Sequence, residues 1–223
     1  VQALVRGATL AAVREHGLRS VDASGEITSQ PVFVSDNVAA LADRAPEPDL
    51  VVLALKAPAL AQAADGVSPL LQHGAAVLPA MNGVPWWFLM TPPDSDPRPL
   101  ASIDPDGRIG EKIPLAQVLG CVLHLTSSCP QPGQVRHGFG NRLVIGEPAG
   151  GRSSRARRVA EALGQAGFET EVSENVRSEI WYKLWGNMTM NPVSALTGAT
   201  SDHILQDSLV REFMGRAMGE AAA

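Results

Sequence analysis

The sequence predicts an α/β fold built on a parallel sheet and followed by an all-helical segment. Three observations carry that prediction: a continuous apolar run at Leu50-Val51-Val52-Leu53-Ala54-Leu55, a strand–helix–strand spacing from there to Leu78, and a purely helical pattern beyond about Glu174. Unbroken apolar runs of this length suit strands covered on both faces of a parallel sheet. With 223 residues, 45% of them hydrophobic and 18% charged, the chain can bury a sizeable core and has none of the biases of disordered, collagen-like or disulfide-rich chains.

The elements follow in order. Residues 1–5 read as a short strand and 9–16 as a helix closed by Gly17. Residues 18–34 alternate around Asp22-Ala23-Ser24-Gly25, a hairpin-like excursion. The strand at 50–55 ends at Lys56. A helical stretch at 59–71 leads to a second apolar strand at 75–78, which leaves through Pro79-Ala80-Met81 into Asn82-Gly83. This is a βαβ unit, whose crossover is right-handed. Residues 91–114 hold six of the 17 prolines and read as an irregular excursion. A strand resumes at 119–125, and 134–137 and 142–146 suggest two more, antiparallel. Ser153 or Ser154 caps a helix at 155–165 that Gly167 can close, and 170–172 is a last short strand. The change of pattern then places a domain boundary between residues 174 and 175.

Composition excludes several classes. A net charge of −5 argues against broad nucleic-acid binding, and the Arg152, Arg155, Arg157 and Arg158 cluster reads as a solvated face. Cys121 and Cys129 form neither a disulfide framework nor a metal pattern, so buried free thiols in a reducing, cytoplasmic setting are expected. The five histidines lack ligand spacing, which predicts no metal site. No Gly-x-Ser-x-Gly elbow occurs, and no run approaches the ~18 apolar residues of a membrane span. The chain starts within an apolar run at Val1 and stops within a helical pattern, so both ends read as cut. Of the 18 basic residues only Lys56, Lys112 and Lys183 are lysines, and each calls for a separate explanation.

Ligands of open parallel sheets sit outside the carboxyl ends of the strands, and Arg6, Lys56 and Asn82 stand at three such exits. If residues 1–5 are the second strand of a nucleotide-binding sheet, Arg6 can meet the 2′-phosphate of NADP, whereas an acidic residue would suit the 2′-hydroxyl of NAD. A solvated loop arginine is the other reading. A glycine-rich phosphate loop is absent. Gly138-Phe139-Gly140 mimics its beginning, but no third glycine follows in place and a strand, not a helix, comes next.

The second constellation is Lys183, Asn187 and Asn191, spaced by four. Each step of four drifts by only ~40° around a helix, so the three line one face over ~12 Å. Gly186, the two asparagines, Thr189 and Pro192 all disfavour a helix interior, and such local conflict is expected where function overrides propensity. Trp181, Tyr182, Leu184 and Trp185 hem in Lys183 in sequence, leaving its ammonium a cleft as its route to water. The plain alternative is a snorkelling lysine with asparagines that are solvated or cap a kink before Pro192. Chemically, a cation can donate to a carbonyl oxygen while amides orient hydroxyl or carboxylate groups of the same small molecule.

Arg6, Leu53-Ala54-Leu55-Lys56, the Asn82-Gly83 turn and above all Trp181-Tyr182-Lys183-Leu184-Trp185-Gly186-Asn187-Met188-Thr189-Met190-Asn191-Pro192, followed by Ser194-Ala195-Leu196-Thr197, resemble the ketopantoate reductase (2-dehydropantoate 2-reductase) family. The resemblance implies a Rossmann-type NADP-binding domain over 1–174, short of its opening. An all-α substrate domain of the 6-phosphogluconate dehydrogenase C-terminal type would follow over 175–223, short of its end. It also implies NADPH-dependent reduction of a small 2-oxo acid, 2-dehydropantoate, to pantoate on the route to pantothenate and coenzyme A.

Carried over, Lys183 is the proton donor to the C2 carbonyl, and Asn187 and Asn191 hold the substrate. Asn82 lies where cofactor and substrate meet, Arg6 and Lys56 serve NADPH, and Thr126 falls where the family places a backbone contact to the cofactor. The family's later Ser and Glu are absent, and Met81 replaces the Gln common before Asn-Gly. Pro85-Trp86-Trp87-Phe88 looks like a subgroup, and Trp86 and Trp87 near the cofactor exit leave a reductase of another 2-oxo acid as a rival. A non-catalytic NADP(H)-binding regulatory protein is the second rival, and a homodimer is an assembly to be considered.

Overall fold

The computed structural model describes residues 1–22, 24–44, 47–91 and 97–222. The chain opens with β1 (Gln2–Leu4), turns at Arg6 in extended backbone and enters α1 (Gly7–His16). Gly17 ends that helix at φ 73°, where a Cβ would strike Ser29 Oγ and Gln30 O at 2.6 and 2.7 Å, so only glycine fits. β2 (Leu18–Val21) and β3 (Ile27–Gln30) form the expected antiparallel hairpin, its turn held by Asp22 Oδ1, which accepts from the Ser24 and Glu26 amides. Ala23 of that turn lies outside the described residues. β4 (Phe33–Ser35) returns parallel to β1, and α2 (Val38–Arg44) follows.

β5 (Leu50–Leu53), α3 (Leu60–Val67) and β6 (Ala76–Pro79) make the βαβ unit, with β5 and β6 parallel. The apolar run of six yields a strand of four and is not covered on both faces. Val51 and Leu53 are buried in the main core, but Val52 is 48% exposed. On that face α5 (Ser154–Gln165) packs with Ala76 and Leu78 of β6 and reaches only the edge of β5 at Leu50.

The proline-rich stretch is less irregular than composition implies. It contains α4 (Arg108–Lys112), whose first amides are held by buried Asp104: Oδ1 accepts from Ile109 N and Oδ2 from Gly110 N, both at 3.0 Å. The side chain does in space what a capping residue does in sequence. Ile109 and Ile113 are fully buried in the core as a result.

β7 (Gly120–Gln131) and β8 (Gln134–Gly146) are one long antiparallel ribbon. The two strands expected at 134–137 and 142–146 are a single strand, because register shifts between His124 and Gln131 absorb the glycine-rich middle without breaking the pairing. One edge of β8 takes β2 at its start and β9 (Glu169–Val172) at its end, both parallel, giving the order β3-β2-β8-β7 with β9 on β8. β6 joins this sheet through Leu119 N, which donates to Val77 O at 2.8 Å. Ser153 caps α5 by accepting from Ala156 N. Arg155 is turned inward, not solvated: it bonds both Glu147 carboxylate oxygens and the carbonyls of Ala116 and Val118. Cys121 is buried, whereas Cys129 is exposed on the ribbon.

The helical part comprises α6 (Val176–Thr197), α7 (Ser201–Gln206) and α8 (Ser208–Ala222). Asn175 caps α6 by accepting from Ser178 N, and Gly198 at φ 68° ends it. Pro192 sits inside the helix and does not stop it. No described helix is long and apolar enough to cross a membrane.

α6 is not loosely hung on the sheet. Val176 and Ile180 belong to the same core as Val51, Val77, Trp87, Val122 and Val144. Gly120 and Gly146, paired across β7 and β8, leave room for Val176: a Cβ on Gly120 would lie 2.8 Å from Val176 Cγ1 and 3.0 Å from Trp87, and one on Gly146 would lie 3.0 Å from Val176 Cβ. Gly120→Ala is therefore expected to destabilise by about 1–3 kcal/mol through overpacking. Denaturant unfolding of the single variant and of Gly120→Ala combined with Val176→Ala checks this, since the second change should return part of the loss.

Candidate active site

Three chain segments meet beside β7. The first is the exit of β6, where Asn82 reaches across to the ribbon: its Nδ2 donates to Leu123 O at 3.0 Å and its Oδ1 accepts from Leu123 N at 2.8 Å. The second is β7 itself. The third is α6, whose inward face starts with Val176 against Gly120. Lys183 follows Val176 by seven residues, two turns, and so returns to the same face about 10 Å further on. His124 follows Gly120 by four residues, about 13 Å along an extended strand. Helix and strand thus bring Lys183 alongside His124, one residue past the position that Asn82 clamps.

The electrostatics agree with that placement. The His124 imidazole is held below its ordinary range, first by burial, then by the positive charges of Lys183 and Arg142, with Glu179 opposing. Arg142 stands opposite His124 on β8 and is bonded to Glu171 at 2.7 Å. Among the described residues Lys183 has no hydrogen bond or ion pair, whereas Lys112 is paired with Glu111 at 2.7 Å. Asn191 Nδ2 donates to Asn187 Oδ1 at 3.5 Å, so the two amides are neighbours on one face of α6.

The aromatic residues around Lys183 in sequence are elsewhere in space. Trp181 and Trp185 lie ~160° around the helix from Lys183. With Phe88, Gly150, Arg177 and Tyr182 they line a cavity of about 950 Å³ on the opposite side of α6. Trp181 stacks on Phe88, and Arg177 lies over the same ring. The crowding inferred from sequence does not confine Lys183; packing against β7 does. Trp86 and Trp87 are fully buried core residues, and Trp87 lines a small pocket with Met81 and Gly83 at the exit of β6.

The remaining candidates are placed separately. Arg6 and Lys56 are exposed at the carboxyl ends of β1 and β5, strands of two different parallel pairs, and among the described residues neither side chain has a partner. Thr126 lies three residues beyond Leu123, on an exposed stretch where the register shifts, and its hydroxyl accepts from Phe139 N at 2.9 Å. That side chain serves the ribbon. His124 is the site-adjacent group that sequence reasoning passed over. No local spacing marks it, because its relation to Lys183 is created by packing between a strand and a helix nearly sixty residues apart.

A family model described as ketopantoate reductase PanE/ApbA matches residues 1–150, and the corresponding C-terminal model matches residues 175–223. The chain belongs to the ketopantoate reductase family. It is 40% identical over 222 residues to a 2-dehydropantoate 2-reductase of Mesorhizobium japonicum, covering 99% of this chain and 66% of the relative. A 2-dehydropantoate 2-reductase of Halobacterium salinarum is 27% identical over 95% of this chain and 62% of its own length. A crystal structure from Ralstonia solanacearum MolK2, of a protein provisionally named a ketopantoate reductase, superimposes with a TM-score of 0.92 at 50% identity over 98% of this chain and 66% of that one. The chain thus spans about two thirds of the length of these relatives. Family membership fits the α/β sheet followed by helices and gives the α6 face a chemical context.

The Asn82 bridge is expected to be structural as well as positional. Asn82→Ala removes both bonds to Leu123 and should cost about 1–2 kcal/mol in denaturant unfolding. Asn82→Asp retains the acceptor, loses the donor and sets a carboxylate oxygen against Leu123 O, so it should be no better than alanine.

Proposed function

We propose that this chain carries the cofactor-binding and proton-donating parts of an NADPH-dependent reductase of a small 2-oxo acid, 2-dehydropantoate, working in the cytoplasm on the route to pantothenate and coenzyme A. The observation that carries the reading is the unpaired Lys183 on the face of α6 that packs along β7, beside the stretch fixed by Asn82. That the Mesorhizobium and Halobacterium relatives are 2-dehydropantoate 2-reductases supports the substrate. The division proposed is 1–174 for cofactor and 175–223 for the catalytic helix.

The residues present fit a dinucleotide. Arg6 sits at the N-cap of α1, at the carboxyl end of a parallel strand, where a helix N-terminus and a guanidinium together favour a phosphate. Lys56 occupies the same position after β5, at the start of the 3-10 turn Ala57–Ala59. Both are unpaired among the described residues and so available to an anion. When bound, the dinucleotide supplies the hydride that adds to the carbonyl carbon. Thr126 enters only through its backbone.

The chain's own residues account for the rest. Lys183 donates a hydrogen bond to the carbonyl oxygen, stabilises the charge that develops there and transfers its proton to it, leaving a neutral amine and an alcohol. Asn187 and Asn191, stacked on the next turns, offer amide donors and acceptors to the hydroxyl and carboxylate of the same molecule. Asn82 holds β7 in place and keeps one N–H and one lone pair for ligand. Each group thereby limits the freedom of the substrate at the reacting carbon. A purely regulatory cofactor-binding protein would not need an unpaired lysine at this point.

Lys183→Ala in the full-length protein should lower kcat for NADPH oxidation by about 10²–10⁴-fold while leaving dinucleotide binding measurable by titration. Unchanged turnover would remove Lys183 as proton donor. Arg6→Asp should weaken NADPH relative to NADH in kcat/KM, and an unaltered preference would take Arg6 out of the 2′-phosphate site.

A further inference from the structure

His124 is a titratable side chain that the chemistry above leaves unused, although it stands beside the group that the chemistry depends on. Two constraints hold it there. The backbone one residue earlier is bonded on both its N–H and C=O by Asn82, so β7 cannot slide. The helix opposite is fixed by Val176 between Gly120 and Gly146, so Lys183 cannot rise away from the strand. His124 itself is half-buried. The charged groups that face it are Lys183 and Glu179 from α6 and Arg142 from β8, and Arg142 is already bonded to Glu171 of β9. Glu179, four residues before Lys183, forms no ion pair with it. Lys183 is therefore the cation near His124 without a partner of its own.

We infer that His124 is a positioning residue for Lys183: the two are not hydrogen-bonded in this structure, and rotation of the lysine side chain lets the neutral imidazole offer its unprotonated ring nitrogen to the ammonium and turn that group toward the substrate carbonyl. The inference rests on the reading of Lys183 as proton donor. A neutral imidazole has one acceptor nitrogen, and an imidazolium has none. Protonation of His124 thus removes the acceptor and places a second positive charge beside the ammonium. The surroundings oppose that protonation, since burial and the charges of Lys183 and Arg142 all favour the neutral ring. The sign follows. Because the imidazole titrates below its ordinary value, the neutral, orienting form prevails at neutral pH. Activity should be lost as pH falls through the depressed value, below about 6.5.

The test uses the full-length protein and two independent readouts. Wild-type kcat should show an acid limb below about pH 6.5. His124→Leu, which has no acceptor, should abolish that limb and lower kcat by about 10- to 100-fold, with little change in the KM for NADPH. His124→Gln or His124→Asn, whose amide oxygen can replace a ring acceptor, should recover part of the loss without restoring the limb. A limb that persists in His124→Leu overturns the inference. The second readout needs no turnover: in an NMR titration of the histidine ring signals, Lys183→Gln should move the His124 midpoint up toward about 6.5. A midpoint that does not move also overturns it. Full turnover in Lys183→Ala would instead sink the proton-donor reading, and the NMR result would still report whether the two side chains are coupled.

Discussion

Val176 wedged against two glycines is the contact on which the site depends. Gly120 and Gly146 face each other across β7 and β8, so the end of the ribbon offers a surface without side chains. The branched side chain of Val176 fills it, and Ile180, one turn later, enters the same core. Burying two such side chains contributes about 3–6 kcal/mol before entropy is subtracted. Once the first turn of α6 is seated, the height and rotation of every later residue follow from helix geometry. Lys183 is thus placed by core packing rather than by a loop, the kind of support that its proposed catalytic role requires.

The same helix separates two jobs by rotation alone. One face carries Val176, Glu179, Ile180, Lys183 and Asn187 toward the sheet. The other carries Arg177, Trp181 and Trp185 toward Phe88 and the large cavity. In sequence these residues alternate within a dozen positions and read as one aromatic surround for the lysine. In space they are divided, because residues two apart on a helix never share a face. The polar row can therefore face β7 while the aromatic row packs elsewhere.

What the sequence made legible follows this logic. The βαβ unit, the Gly17 helix end and the Lys183-Asn187-Asn191 row depend on local spacing, and each is where periodicity and turn chemistry put it. The coverage of β5, the burial of Trp86 and Trp87, the inward turn of Arg155 and the capping of α4 by Asp104 depend on partners far along the chain. The sequence reads β5 as covered on both faces, Trp86 and Trp87 as near the cofactor exit, Arg155 as solvated and 91–114 as irregular, and in each case tertiary contacts rather than local pattern set the outcome. His124 belongs with the second group. Its neighbours come from β8 and α6, so its environment exists only after the ribbon and the helix have packed.

The lysine content gains a chemical meaning from this arrangement. A chain that draws its basic residues almost entirely from arginine nevertheless keeps a lysine on the helix face beside His124. Arginine would supply the charge and more hydrogen bonds, but a guanidinium does not give up its proton under any condition a protein meets. An ammonium does, and its attraction to a developing alkoxide is greatest in a half-buried site of reduced dielectric. Where the role is only to hold an anion, as proposed for Arg6, guanidinium and ammonium can exchange. Where a proton must leave, they cannot. Of the three positions at which this arginine-rich chain uses lysine, Lys183 is the one where the proposed proton transfer would require it.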